Sequence, residues 1–178
     1  MQESATRLTA QEIFEGAIDS AREELSRSST ALSFSGLAGG LTMGLTGLSV
    51  SIVTGLLGTG STAQLVAAIV YPIGFVSVII GRAHLFTENT LYPVVLVLTD
   101  KKYLLQTLRL WSLVYVGNLA GSLGFALLAT RTSALRPEFR DVLISLGVNA
   151  VSHPPLTVFW SGVVAGWLLG VAHYGRRC

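Results

Sequence analysis

An unusually long uncharged tract runs through the first half of the chain. Between Arg27 and Arg82 lie 54 residues without one Asp, Glu, Lys, Arg or His. A membrane-spanning helix needs about 20 apolar residues, so this tract predicts two spans. The glycine-rich segment 58–62 predicts the turn between them. Span 1 is expected at about 32–57, and span 2 begins near residue 63.

Span 2 is interrupted by polar residues. Its apolar run, 65–81, stops at the polar segment 82–90, and a second apolar run, 91–98, follows. Because the second run is too short to cross a bilayer alone, the two together predict one helix broken near mid-membrane. Non-helical backbone at that depth must be covered by protein or line a watery cavity. An ordinary loop between two shorter helices at the membrane interface remains an alternative.

Two further spans complete a predicted all-α fold, a polytopic membrane helix bundle of about four transmembrane helices. Span 3 is 110–130, a charged loop covers 131–141, and span 4 runs from 156 to about 174. Small residues recur every fourth position, which lets membrane helices pack closely. These glycines are Gly36, Gly40 and Gly44 in span 1, Gly117 and Gly121 in span 3, and Gly162, Gly166 and Gly170 in span 4.

The N-terminal region, 1–30, differs from the transmembrane domain, 31–178. Residues 9–27 combine an apolar stripe at helical spacing with a capping box, Thr9 with Glu12. We expect an amphipathic helix that packs on the protein's own cytoplasmic face rather than on lipid, because its polar side is acidic. The basic residues after span 2 favour a cytoplasmic N-terminus in a multi-pass protein of the inner or plasma membrane.

Composition narrows the function classes. The chain is 51% hydrophobic and 12% charged, with a mean hydropathy of +0.60, whereas soluble domains carry about 25% charged residues. The formal net charge of +2 is spread over segment ends, so a nucleic-acid partner is not expected. No nucleophile, phosphate-loop or metal-ligand motif is found, so we predict no enzyme, no catalytic residue, no metal and no cofactor.

Candidate functional residues concentrate at the break in span 2. Polar groups at membrane depth are costly and indicate a pathway by default. Thr87 or Asn89 could cap the second half-helix and face a solute, while Leu85 and Phe86 would form an apolar constriction. For His84, a loop histidine without a role in binding is favoured over a proton shuttle. The aromatic pair of span 2, Tyr71 and Phe75, would serve helix packing or line a pore.

Three stretches resemble the formate/nitrite transporter family: 40–45, 71–75 and, most specifically, 81–90 (Gly-Arg-Ala-His-Leu-Phe-Thr-Glu-Asn-Thr). The resemblance implies an aquaporin-like protomer of two inverted halves, assembled as a homopentamer with one pore per protomer. It also implies transport of small monovalent anions such as formate or nitrite, together with a proton in some cases. By resemblance, Leu85, Phe86 and Thr87 form the loop of the first broken helix. Tyr71 and Phe75 fall at a cytoplasmic-side constriction.

Two departures from the family pattern matter. Position 84 is His where relatives usually carry an acidic residue. The chain also ends before the second broken helix, so we expect either a fragment or a truncated gene product. The alternative to a transporter is therefore a truncated, non-transporting membrane protein or scaffold subunit.

The 178-residue polypeptide alone is expected not to conduct formate, because half a pore leaves polar backbone facing lipid at several kcal/mol per group. Formate flux into liposomes holding only this polypeptide should equal that of empty liposomes. Flux well above that background would contradict the expectation. An intact mass of 18.9 kDa for the natively expressed protein would identify a genuine four-span product.

Overall fold

The computed structural model describes residues 9–88 and 91–175, and within these ranges every regular element is helical. The helices are α1 (Ala10–Ser26), α2 (Ser29–Leu57), α3 (Ser61–Val70), α4 (Ile73–Ile80), α5 (Leu91–Thr99), α6 (Leu104–Arg131), α7 (Pro137–Ser152) and α8 (Pro155–Gly175). A single 3-10 turn, Lys101–Tyr103, leads into α6. The all-α expectation is therefore confirmed for this part of the chain.

Among the described residues, three segments are long and apolar enough to cross a membrane: Ser29–Leu57, Ser61–Ile80 and Lys101–Arg131. Helices α7 and α8, bent by 101° at a short break, bring the number to four if they form one span. The expected loop over 131–141 is wrong at its C-terminal end, where α7 already begins at Pro137. Proline suits the first position of a helix because its missing N–H needs no partner there.

Helix α1 docks on the bundle through its apolar stripe. The predicted capping box is present: the Glu12 backbone N–H donates to Thr9 Oγ1, and Glu12 Oε2 accepts from the Thr9 backbone N–H at 2.7 Å. At its other end, Ala21 and Leu25 are buried in a cluster with residues of α2, α5 and α6. Arg109 of α6 fixes this end, donating to the backbone oxygens of Leu25 (3.0 Å) and Arg27 (2.7 Å). Helix α1 thus packs on the protein as expected, and the cytoplasmic side of that contact stays a prediction.

Helices α2 and α6 form the central pair of the bundle and run parallel. Positions along α2 meet positions along α6 in the same order: Gly36 lies against Val114, and Gly40 against Asn118. One turn further on, Gly121 of α6 lies against the α2 backbone between Leu37 and Leu41. A Cβ atom on any of these glycines would overlap the facing backbone, so the close approach depends on them.

The glycines of α8 behave differently. Added Cβ atoms on Gly162 and Gly166 would meet nothing within 4 Å, and the described side chains of α8 are exposed. The expectation that this third set packs against another helix is thus not met within the described residues. Helix α7 by contrast packs on the second half of α2, with Leu143 beside Gly47 and Phe139 beside Gly55.

A substitution at the α2–α6 contact tests whether the close packing of these two helices stabilises the protein. Gly121→Ala places its new methyl group 2.6 Å from the Leu41 backbone nitrogen, so we expect a loss of about 1–3 kcal/mol of stability. Gly124→Ala is the matched control on the same helix, since its Cβ meets nothing within 4 Å. Thermal unfolding in detergent measures both. Equal melting temperatures for the two variants would contradict the packing described here.

Candidate functional site

The polypeptide is not helical between Ile80, the last residue of α4, and residue 88. This segment, 81–88, is called the loop below. It lies against the inner part of the bundle: the His84 backbone N–H donates to the Ser35 backbone oxygen at 3.3 Å. Ser35 is roughly 10 Å along α2 from its start, given a rise of about 1.5 Å per residue. The loop therefore contacts α2 about two turns after the start of that helix.

Asn118 holds the loop in place. Its side-chain Nδ2 donates to the backbone oxygens of Gly36 (2.7 Å) and His84 (2.9 Å), and its Oδ1 accepts from the Phe86 backbone N–H (2.8 Å). Asn118 lies near the midpoint of the 28-residue α6. One amide thus satisfies two backbone groups of the loop that regular helix would otherwise pair. The same amide therefore joins α6 both to α2 and to the loop.

His84 is buried, with 4% of its surface exposed, and both ring nitrogens have partners. Its Nε2 lies 2.5 Å from Glu24 Oε2 and 3.3 Å from Arg27 Nη1, while its Nδ1 lies 2.6 Å from Ser35 Oγ. Glu24 belongs to α1 and Arg27 directly follows its last residue, so a helix outside the predicted spans contributes directly to the loop's surroundings. The favoured prediction of a loop histidine without a role did not anticipate these contacts.

The same cluster of side chains affects the ionisation of the Glu24 carboxylate. Partial burial raises its pKa, but the hydrogen bond from His84 and the charges of His84 and Arg27 outweigh burial, so the pKa of Glu24 lies below its usual value of 4.5. At neutral pH the carboxylate is therefore ionised and accepts hydrogen bonds only.

A polar cleft of about 330 Å³ opens beside His84. Its charged lining comes from α1 and from the loop; its apolar wall comes from Val78 and Ile79 of α4. The ionisable side chains that line it are Glu23, Glu24, Arg27, Arg82, His84 and Glu88. Arg82 adopts a left-handed backbone conformation with φ of 51°, which costs free energy for any residue other than glycine. The backbone is thus strained at Arg82, a residue that lines the cleft.

The other predicted loop residues take different positions. Leu85 is buried, and the Phe86 ring makes edge-to-face contacts with Tyr115 (5.3 Å between centroids) and Trp111 (6.2 Å) of α6. Thr87 is exposed. Asn89 lies outside the described residues. Leu85, Phe86 and Thr87 thus follow the buried His84 in succession, with side chains that pass from core to surface.

Tyr71 and Phe75 lie away from this cluster. Tyr71, with 64% of its surface exposed, joins α3 to α4, and Phe75 is half-buried on α4. The preceding residue, Val70, contacts Ser49 in the second half of α2, whereas α1 adjoins the start of α2. Tyr71 and Phe75 are therefore on the side of the loop opposite to α1. Two predictions therefore conflict: if α1 is cytoplasmic, Tyr71 and Phe75 cannot form a constriction on the cytoplasmic side of the loop.

The fold and the site define a class: a helical membrane protein in which a polar, non-helical loop after α4 packs beside a parallel helix pair. The family model described as formate/nitrite transporter matches residues 11–176. The chain belongs to the formate/nitrite transporter family, which is a family of transporters and not of enzymes. The resemblance of residues 81–90 to this family is thereby confirmed.

Three relatives illustrate the similarity. The inner membrane protein YfdC of Escherichia coli (strain K12) is 32% identical over 151 residues, which cover 83% of this chain and 48% of YfdC. The uncharacterized transporter YwcJ of Bacillus subtilis (strain 168) is 31% identical over 61% of this chain and 43% of its own length. The formate-nitrite transporter of Plasmodium knowlesi (strain H) is 34% identical over 46% of this chain and 26% of its own length. The chain thus spans about half the length of YfdC, or less in the other two cases.

Removing the Asn118 amide should release the loop. Asn118→Ala leaves the Phe86 N–H and the His84 carbonyl without their partner, at roughly 1–3 kcal/mol. We expect amide hydrogen exchange in the loop to accelerate by about tenfold or more, as this free energy requires. The matched control is Asn149→Ala, at an exposed position on α7. Unchanged exchange in the Asn118 variant would show that the loop is held by other contacts.

Proposed function

We propose that this chain contributes a transmembrane pathway for small monovalent anions such as formate or nitrite. The observation that carries the proposal is the loop itself, which brings buried polar groups beside the midpoint of α6. Polar groups inside a membrane bundle are costly and are retained chiefly where a solute passes. Family membership supports the same function.

The proposed pathway passes the loop and is lined by Leu85, Phe86 and Thr87, with Asn89 two positions further along the sequence. Leu85 and Phe86 form its narrow apolar part, and contacts with Tyr115 and Trp111 hold the Phe86 ring in position. Thr87 offers a hydroxyl to an anion that has lost part of its hydration shell. His84 lies at the cleft on one side, and Tyr71 and Phe75 lie toward the mouth on the other.

The surroundings of the pathway are part of the proposal. We take α3, α4 and α5 as one span broken near mid-membrane, in an aquaporin-like half of a six-span pore. The N-terminus, with α1, is taken as cytoplasmic, because Lys101, Lys102 and Arg109 follow the broken span on that side. Tyr71 and Phe75 then belong to the outer side. A homopentamer with one pore per protomer in the inner or plasma membrane completes the arrangement.

A second candidate function is a non-transporting membrane protein or scaffold subunit. The observation that favours it is α8, whose side chains are exposed along residues 155–168, including those of Phe159, Trp160 and Trp167. Apolar helices of this kind pack against other membrane helices. A chain that supplies contacts of this sort to other subunits would need no pore of its own.

Uptake of radiolabelled formate and nitrite distinguishes the two candidates. The test uses cells of the natural source in which other carriers of these anions are deleted. These cells should take up formate and nitrite faster when they express the gene from its natural locus than when this gene is deleted as well. Thr87→Val keeps the side-chain shape but removes the hydroxyl, so we expect uptake to fall about two- to tenfold, the equivalent of one hydrogen bond. Thr62→Val, at the exposed start of α3, is the control and should leave uptake unchanged.

Two results would contradict the proposal. Uptake no faster than in cells without the gene would favour the scaffold function. Rapid uptake that is equally fast in the Thr87 and Thr62 variants would support transport but exclude Thr87 from the pathway.

A further inference from the structure

Two buried polar atoms of α6, Thr107 Oγ1 and Trp111 Nε1, have no hydrogen-bond partner among the described residues. Thr107 has 1% of its surface exposed, and the Trp111 ring packs against the hydrophobic cluster that α6 shares with α1, α2 and α5. Most buried polar side chains in proteins are paired, because a buried group without a partner has lost its hydration and gained nothing in return. Two such atoms on one helix therefore require a physical explanation.

The two side chains lie on the same face of α6, one helical turn apart. Residues four positions apart on a helix have Cβ atoms about 5–6 Å from each other, and long side chains in helices lean back over the preceding turn. The Trp111 indole therefore extends over the turn that carries Thr107. Leu110 and Val114, which belong to the same face, are fully buried, so this face points into the bundle.

The hydrogen-bonding capacity of the two groups matches that of a water molecule. The indole N–H can only donate, whereas the threonine hydroxyl can both donate and accept. Since neither atom has the other as its partner, a third group must accept from the indole. Water accepts from Nε1 and donates one hydrogen atom to Oγ1, and its second hydrogen atom can bind a backbone carbonyl oxygen, which has two lone pairs. Buried waters typically make about three hydrogen bonds of this kind.

A third buried atom of this kind, Thr46 Oγ1 on α2, has different surroundings. It lies directly against the backbone of Gly74 on α4, where these two helices approach closely. A Cα–H group, which is a weak hydrogen-bond donor, therefore faces this hydroxyl. Because the Gly74 backbone already covers Thr46 Oγ1, Thr46 is not assigned to a water site.

We propose that Thr107 and Trp111 bind one internal water molecule at the inner face of α6. This site is separate from the proposed anion pathway and does not depend on it. Its effect extends to the loop, because the Trp111 ring makes an edge-to-face contact with Phe86 at 6.2 Å between centroids. By binding the indole N–H, the water fixes the orientation of the ring on which Phe86 packs.

The direction of the stability change in Thr107→Val tests the proposal in the purified full chain. Valine is similar in size to threonine but has no hydroxyl, so the variant loses the hydrogen bond to the water. We expect the melting temperature in detergent to fall by about 2–4 °C, the shift that one hydrogen bond produces in a chain of this size. If the hydroxyl had no partner, the substitution would remove an unsatisfied buried group, and the melting temperature would rise or stay the same.

A double-mutant cycle with Trp111→Phe shows whether the two residues share the water. Either single substitution releases it, so Thr107→Val should lower the melting temperature in the native background but not in the Trp111→Phe background. Thr62→Val, at the exposed start of α3, is the control and should have no effect in either background. An equal fall in both backgrounds, or no fall in the native one, would overturn the proposal.

Nuclear magnetic resonance gives a second readout that leaves the indole in place. The ¹⁵N-labelled indole N–H of Trp111 should show a cross-peak to water in the native chain, and Thr107→Val should abolish it. The resonance is assigned by its loss in Trp111→Phe. A native chain without this cross-peak, or a cross-peak that persists unchanged in Thr107→Val, would overturn the proposal.

Discussion

The three hydrogen bonds of Asn118 are the constraint on which the position of the loop after α4 depends. A polypeptide that leaves helical geometry inside a membrane bundle loses the internal partners of its backbone groups, and lipid offers no replacement. One amide in the middle of α6 supplies a donor to the His84 carbonyl and an acceptor to the Phe86 N–H, and a second donor ties both to α2. Without such a partner the loop would be too costly to keep at this depth.

That amide reaches the loop only because α2 and α6 approach closely. Gly36 and Gly40 remove the side chains that would hold the two helices apart, and Gly117 and Gly121 do the same on the other side. The glycine positions and the asparagine are therefore one device: small residues bring the backbones together, and Asn118 then spans from α6 to α2 and the loop. The close packing of α2 and α6 therefore determines where the Asn118 side chain and its partners lie.

The sequence predicted what depends on local pattern. Spacing and residue type predicted the spans of the uncharged tract, the capping box at Thr9, the packing of α1 and the glycine contacts between α2 and α6. Residues 81–90 indicated the family. The site was predicted only in part, because contacts distant in sequence leave no periodic signal. Glu24 and Ser35 join His84 across 60 and 49 positions. The partners of Asn118 (Gly36, His84 and Phe86) lie 82, 34 and 32 positions away, and spacing does not indicate them. The expected loop through residue 141 was wrong at its end because Pro137 starts a helix.

The division of the cleft between α1 and the loop has a consequence for how such sequences diverge. The carboxylate beside position 84 comes from a helix that precedes the first predicted span, so positions 24 and 84 share one polar contact although they are 60 residues apart. A change of charge at either position therefore affects the other. We expect substitutions at positions 24 and 84 to be exchanged in pairs during evolution, with each site free to vary only when the other compensates.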